Sequence, residues 1–262
     1  MNKKFFVITK TPLRISFFGG GTDFKDFYKK YGGKIIGTTI DKYIYQSFRF
    51  IPDFGASQHR IVWRHVELVN TISEILHPSV REGLKFLDFK NDKCVEIHYQ
   101  ADIPARTGMG SSSSFVVGLL NGLSALKGSY LDKKTLSDLA LELEQSIMKE
   151  HVGSQDQVAA AFGGLNIIEF NKDVNYRVKP IELKPHIKDN FLSHLLLVYT
   201  GSGRFSSEIT KNLIKNLPKK SNHIQRIHDI VYEGEKSLIN NDMECFGELL
   251  DETWQIKTQL SN

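Results

Sequence analysis

Eleven consecutive residues, Pro104-Ala-Arg-Thr-Gly-Met-Gly-Ser-Ser-Ser-Ser114, place two close glycines and four serines directly before an apolar helical pattern. Phe115, Leu119 and Leu123 fall in one row of that pattern, and Val116, Leu120 and Leu126 widen it. Glycine lets the main chain approach a ligand closely. The first turn of a helix carries unpaired N–H groups at the positive end of its dipole. An anion, most usefully a polyphosphate, suits such a place. The structural alternative is a serine-rich N-cap over a buried helix, but one cap needs one serine.

Other residues could work beside a phosphate. Glu144 follows Ala140 by four residues at the edge of an apolar stripe, where a carboxylate would be partly buried and would need a partner such as a cation. It could equally be a solvated charge like its neighbour Glu142. Asp156 stands in Gly153-Ser-Gln-Asp-Gln-Val-Ala-Ala-Ala-Phe-Gly-Gly164, either as a charge favoured at a helix start or as a general base. His151 reads as a surface or capping residue. Near the N-terminus, Arg14 lies in an apolar strand pattern, where a guanidinium calls for an anion. Gly19-Gly-Gly then leads to Thr22 and Asp23, and a tight turn would explain the glycines without explaining the arginine.

Three familiar signatures are rejected. Gly33-Lys34 is followed by isoleucine and lacks the earlier glycine of a P-loop, and Gly108-Met-Gly110 lacks the third glycine of a dinucleotide fingerprint. Asp53-Phe-Gly55 has no companion motifs of a protein kinase.

These residues need elements to hold them. Phe5–Thr9 and Leu13–Phe18 read as short strands, and Lys34–Ile40 with Tyr43–Phe50 as a hairpin across Asp41-Lys42. Pro78–Phe89 reads as helix and Cys94–Gln100 as strand. A second helix runs from Asp132, a good N-cap, to about Glu150, with Leu136, Leu139, Ala140, Leu143 and Ile147 as its stripe. Val152–Phe162 is helical up to Gly163-Gly164, Leu165–Phe170 and Leu195–Thr200 are strands, and the chain from Arg204 is mostly helical. Strands first and helices later indicate an α+β fold. A composition shift near Pro180–Pro185 sets the expected domains at 1–182 and 183–262.

The chain has 262 residues, 40% hydrophobic and 24% charged, as in an ordinary soluble protein. A net charge of +4 suits an anionic small molecule and gives no argument for nucleic acid. Cys94 and Cys245 lack metal-ligand spacing and are expected to be reduced and buried. No apolar run approaches the ~20 residues of a membrane span, and the N-terminus leads into a strand, so a cytoplasmic protein is expected.

Taken together, the motifs resemble the GHMP kinases. Pro12–Asp23 is similar to that family's first motif, Pro104–Ser114 to its second, and Gly153–Gly164 to the segment of its catalytic aspartate. The resemblance implies a two-layer α/β N-terminal domain and a second α+β domain that is incomplete, since no third glycine-rich motif follows Gly203. Within the family, the triple glycine and the Gln155–Gly164 string are most similar to the kinases of D-glycero-D-manno-heptose 7-phosphate. Those phosphorylate the anomeric hydroxyl to give the 1,7-bisphosphate for GDP-heptose. Galactose, fucose or another sugar is the alternative acceptor, and a catalytically inactive binding protein the alternative class.

The resemblance also implies the roles. ATP would be held by backbone N–H groups of Gly108, Met109, Gly110, Ser111, Ser112 and Ser113. Mg²⁺ would be held by Ser112 and Glu144. Asp156, twelve positions after Glu144, would be the base, and Arg14 would steady it and the moving phosphoryl group. Thr22 and Asp23 would meet the sugar. Arg204 would meet its distal phosphate, or be a surface charge at a helix start. Neither nucleic acid nor membrane is an expected partner, and a homodimer is compatible with the reading.

Overall fold

The computed structural model describes residues 6–52, 58–105, 107–198 and 221–261. Its strands are β1 (Val7–Phe18), β2 (Gly33–Phe50), β3 (His59–Val62), β4 (Val66–Val69), β5 (Val95–Ala101), β6 (Leu165–Phe170) and β7 (Tyr176–Pro180). Its helices are α1 (Lys25–Tyr31), α2 (Pro78–Phe86), α3 (Ser111–Leu126), α4 (Lys133–Leu141), α5 (Gln155–Phe162), α6 (Pro185–Ser193), α7 (Ser221–Ile239) and α8 (Met243–Ser261). The fold is α+β. Two compact units share the chain: one takes the segment up to Leu13, Ile40–Glu150 and Asp156–Phe162, the other Arg14–Thr39, His151–Gln155 and the chain from Gly163 onward.

Two predicted strand breaks are absent. Pro12 lies inside the continuous β1, which pairs with β2 alone among the described strands, so its missing N–H is tolerated as on a sheet edge. The expected hairpin at Asp41-Lys42 is instead the middle of β2, 18 residues long. Ile40-Asp-Lys-Tyr43 has no glycine or asparagine for the positive φ of a two-residue turn, while β-branched and aromatic residues on both sides favour extension.

In the first unit the C-terminal half of β2 pairs antiparallel with β5, from Ile44 opposite Ala101 to Phe50 opposite Val95. β5 runs parallel to β3, and β3 forms an antiparallel pair with β4. The apolar stripes of α2, α3 and α4 close over this sheet, joining Leu84, Leu119, Leu120, Leu123 and Leu136 to Ile44, Phe48 and Ile97 in one core. Asp132 caps α4 as predicted, accepting the Thr135 N–H at 2.9 Å. Beyond Leu141 the helix does not continue regularly to Glu150; it widens into a π-helical turn over Glu142–Ile147.

Close approach of α3 to the sheet depends on Gly122. A Cβ there would stand 2.1 Å from the ring of the fully buried Phe48. Gly122→Ala is therefore expected to destabilise by about 1–3 kcal/mol, the range for overpacking a dense core. The urea midpoint should fall accordingly, and an unchanged midpoint would show that the ring can yield.

In the second unit the N-terminal half of β2 pairs with β6, from Gly33 opposite Phe170 to Thr38 opposite Leu165, and β6 pairs with β7. Gly163 and Gly164, with φ of +69° and +82°, end α5 as expected. Phe17 and Phe18 of β1, Phe191 of α6 and Phe246 of α8 meet edge-on with ring centroids 4.8–5.5 Å apart. Ile230 and Val231 of α7 complete that core. The buried Lys34 reaches Glu169 at 3.2 Å and lies 3.7 Å over the Tyr232 ring.

Of the strand expected at Leu195–Thr200, residues 195–198 carry none, and the remainder lies outside the described residues. Neither cysteine is in a disulfide. Cys94 is buried as expected, and Cys245 is only half-buried. Among the described residues, no helix is long and apolar enough to cross a membrane.

Candidate active site

The residues singled out in the sequence divide between the two units. In the first, Gly108 and Gly110 both adopt positive φ, +78° and +69°, which turns the loop into the start of α3 without side-chain hindrance. Gly110 occupies the N-cap position and so offers no capping side chain. The Ser114 N–H returns to its carbonyl at 2.9 Å, the first bond of the helix. The N–H groups just before that bond have no intrahelical partner, which is the chemistry an anion needs.

The four serines do different work. The buried Ser114 hydroxyl donates to the Pro12 carbonyl at 2.9 Å and ties α3 to β1. Ser113 is buried and hydrogen-bonded to the Glu144 carboxylate. Ser111 is half-buried and Ser112 exposed. Met109 is half-buried and packs its side chain on the core.

Glu144 is fully buried, at 0% exposure. The π-helical turn that carries it adds a residue to the helical repeat and rotates the residues after it, so a side chain expected at the edge of the stripe points inward. One carboxylate oxygen accepts a hydrogen bond from the Gln157 side-chain amide. The other, Oε1, has no hydrogen-bond partner. Burial pushes the carboxyl pKa up to about 7, and the nearby Glu150 and Asp156 charges push the same way. Burial also raises Glu150. Asp156 is half-buried in the first turn of α5, one residue before Gln157. Ser113, Glu144 and Gln157 therefore belong to one buried polar cluster, with the half-buried Asp156 close to it in charge.

An unpartnered carboxylate oxygen inside a protein calls for a cation or a proton. Mg²⁺ takes oxygen ligands and keeps most of its own waters, so one carboxylate and one serine hydroxyl beside the glycine-serine loop fit it. No group of three or more His, Cys, Asp or Glu among the described residues could hold a metal alone.

In the second unit, Arg14 is half-buried on β1. Thr22 is fully buried. Its hydroxyl lies 2.8 Å from the Gly19 carbonyl and 3.1 Å from that of Lys34, and accepts the Lys34 N–H at 3.1 Å. Such a hydroxyl braces the glycine turn from inside. The Asp23 carboxylate accepts the Gly21 N–H at 3.0 Å and the Gln155 N–H at 3.3 Å, while its carbonyl accepts from Ser154 at 3.0 Å. A Cβ on Gly153 would stand 1.9 Å from Asp23 Oδ2, so glycine is required there for that approach. Asp23 thereby joins the triple-glycine turn to the segment leading into α5.

Gln157 and Lys257 were not singled out in the sequence, whereas Ser113 was, for its main-chain N–H. Gln157 sits inside a recognised string and could have been found through its neighbour Asp156. Lys257, whose charge interacts with those of Asp23 and Arg14, has no local signal at all. Arg204 and Arg106 lie outside the described residues.

Residues 70–164 match the GHMP kinases N-terminal domain. The chain carries a GHMP kinase N-terminal domain. The matched segment holds the glycine-serine loop, Glu144 and Asp156. A curated relative, the D-glycero-alpha-D-manno-heptose 7-phosphate kinase of Campylobacter jejuni, is 26% identical over 97% of this chain and 77% of its own length. Among solved GHMP-type folds, a D-glycero-D-manno-heptose 1-phosphate kinase from Bacteroides thetaiotaomicron superposes with a TM-score of 0.82 at 25% identity, covering 96% of this chain and 79% of that one. Streptococcus pneumoniae phosphomevalonate kinase, in complex with phosphomevalonate and AMPPNP, shares the fold at a TM-score of 0.76 and 14% identity, over 97% of this chain and 80% of its own.

Proposed function

We propose that this ATP-dependent sugar kinase transfers a phosphoryl group to the anomeric hydroxyl of D-glycero-D-manno-heptose 7-phosphate, giving the 1,7-bisphosphate in the cytoplasm for GDP-heptose synthesis. The observation that carries the reading is the Glu144 cluster: a fully buried carboxylate with one unpartnered oxygen, bonded to Ser113 at the start of α3 and close in charge to Asp156. The heptose phosphate relatives support the acceptor class.

In this mechanism the backbone N–H groups from Gly108 to Ser113 bind the phosphates of ATP. Mg²⁺, held by Glu144 and a serine of the loop, with Ser112 the exposed candidate, supplies charge neutralisation when bound. Ser113 and Gln157 keep the Glu144 carboxylate oriented. Asp156 accepts the proton of the attacking hydroxyl, and Arg14 offsets negative charge. Phosphoryl transfer depends chiefly on such positioning and electrostatics. Asp23 accepts from sugar hydroxyls, and Thr22 acts through the turn it braces. Arg204 is retained as a candidate for the acceptor phosphate, and 1–182 with 183–262 as the family-domain division, which differs from the interleaved compact units.

The test is a coupled ADP-release assay over a panel of heptose 7-phosphate, heptose, galactose, fucose and mannose. Heptose 7-phosphate should give the highest kcat/KM. A higher value with an unphosphorylated hexose would reassign the acceptor, and absence of turnover on every sugar, with ATP still bound, would make the protein a binding module.

A further inference from the structure

We propose that Lys257 of α8, together with Ser16 and Gln155, forms a cradle over Gly20 in which Lys257 donates to an oxygen of the acceptor. This inference rests on the sugar-kinase reading and names a specificity-determining residue within it.

Three polar side chains from widely separated segments converge on one residue that has no side chain. A Cβ on Gly20 would stand 3.1 Å from Lys257 Nζ, 3.8 Å from Ser16 Oγ and 3.9 Å from Gln155 Nε2. Its neighbours Gly19 and Gly21 have φ of +86° and +107°, which only glycine adopts without strain. Gly20 is not among the positive-φ glycines, so backbone conformation does not demand glycine there. What the missing Cβ provides at Gly20 is space beside the lysine ammonium.

The cradle has unused hydrogen-bonding capacity. Ser16 Oγ and Gln155 Oε1 are both buried without a hydrogen-bond partner. Buried polar atoms in folded proteins are nearly always satisfied, and the exceptions call for an explanation such as a bound molecule. Together the three side chains present an ammonium, a hydroxyl and a carboxamide, so the cradle both donates and accepts. A polyhydroxylated or phosphorylated molecule answers such a set, whereas a purely anionic one would leave the carboxamide oxygen unmatched. Burial, with the Arg14 charge, lowers the Lys257 pKa, and the Asp23 charge opposes that shift. The lysine is thus held next to the carboxylate assigned to sugar hydroxyls.

The experiment compares wild type, Lys257→Met and Gly20→Ala in steady-state kinetics, varying ATP and acceptor separately, with melting temperature as the folding control. Methionine keeps the length of the stem and removes the charge. Alanine at Gly20 meets only the movable end of the lysine, so the fold should persist while Nζ is displaced. Both variants should raise the acceptor KM about tenfold or more, as loss of a hydrogen bond from a charged donor does, with the KM for ATP within twofold of wild type. Parallel runs with heptose 7-phosphate and heptose identify the oxygen: a loss confined to the phosphorylated sugar marks its phosphate, and an equal loss on both marks a hydroxyl. A folded variant of either kind whose acceptor KM stays within twofold overturns the assignment, and Gly20→Ala decides alone if Lys257→Met does not fold. Absence of sugar turnover by the wild type would instead defeat the parent reading, and it shows before any variant is made.

Discussion

Asp156→Ala is expected to lower kcat by about 10²–10⁴-fold, the range contributed by a positioned general base, while the Kd for ATP stays within about threefold. The expectation comes from placement. Asp156 lies in the first turn of α5, and it is half-buried rather than sequestered. Its neighbour Gln157 is tied to Glu144, so the position of the Asp156 backbone is fixed by a buried hydrogen bond and not by a mobile loop. The loop proposed to bind phosphate is a separate segment whose groups are main-chain amides, which the substitution leaves untouched. Single-turnover ADP formation measured beside calorimetric ATP titration separates the two quantities. Near-wild-type turnover in the alanine variant would remove Asp156 from the reaction. A parallel loss of ATP affinity would make it a structural support of the nucleotide loop.

How much of this could be read from the sequence depended on the range of the interactions involved. The helix after the serines was legible because its row of Phe115, Leu119 and Leu123 is a local pattern, and the whole row is buried. The cap at Asp132 and the glycine pair after Phe162 were legible for the same reason. The unbroken β2 was not. Asp41 and Lys42 are polar residues between apolar runs, which mimics a turn, and partner strands on the two halves add to the local preference for extension there. Glu144 was ambiguous between solvated face and buried ligand, because a regular 3.6-residue repeat puts it at the edge of the stripe. The π-helical turn that moves it inward depends on packing that no local pattern encodes. The serines illustrate a finer limit. Their run signals a phosphate loop, but which hydroxyl meets Glu144 and which meets Pro12 is set by the rotation of α3 against its neighbours. Lys257 lies furthest from any local cue, since its meaning comes entirely from a turn more than two hundred residues earlier.

Glu144→Gln should separate function from stability more sharply than any other single change. In the folded chain the carboxyl pKa rises from 4.5 to about 7, because burial disfavours the charge. Linkage sets the sign. A carboxyl that binds its proton more tightly when folded makes the native state lose stability as pH rises through that interval. Above about pH 7 the full penalty applies, roughly 3 kcal/mol for such a shift. Glutamine has the same shape, can still accept from Gln157, and carries no charge to bury. Without ligand at pH 8, the variant is therefore expected to melt at or above the wild-type temperature, with the difference shrinking towards pH 5. Turnover should fall at least about 10²-fold, and the Mg²⁺ concentration for half-maximal rate should rise, since a neutral amide is a much weaker partner for a hard cation. Calorimetric melting from pH 5 to 8, together with a Mg²⁺ titration of the initial rate, measures both. A variant that melts lower at pH 8 and retains activity would show that Glu144 serves the fold. A variant that melts higher and is inactive would show a charge kept in the interior at the expense of stability, which is how a residue held for chemistry behaves.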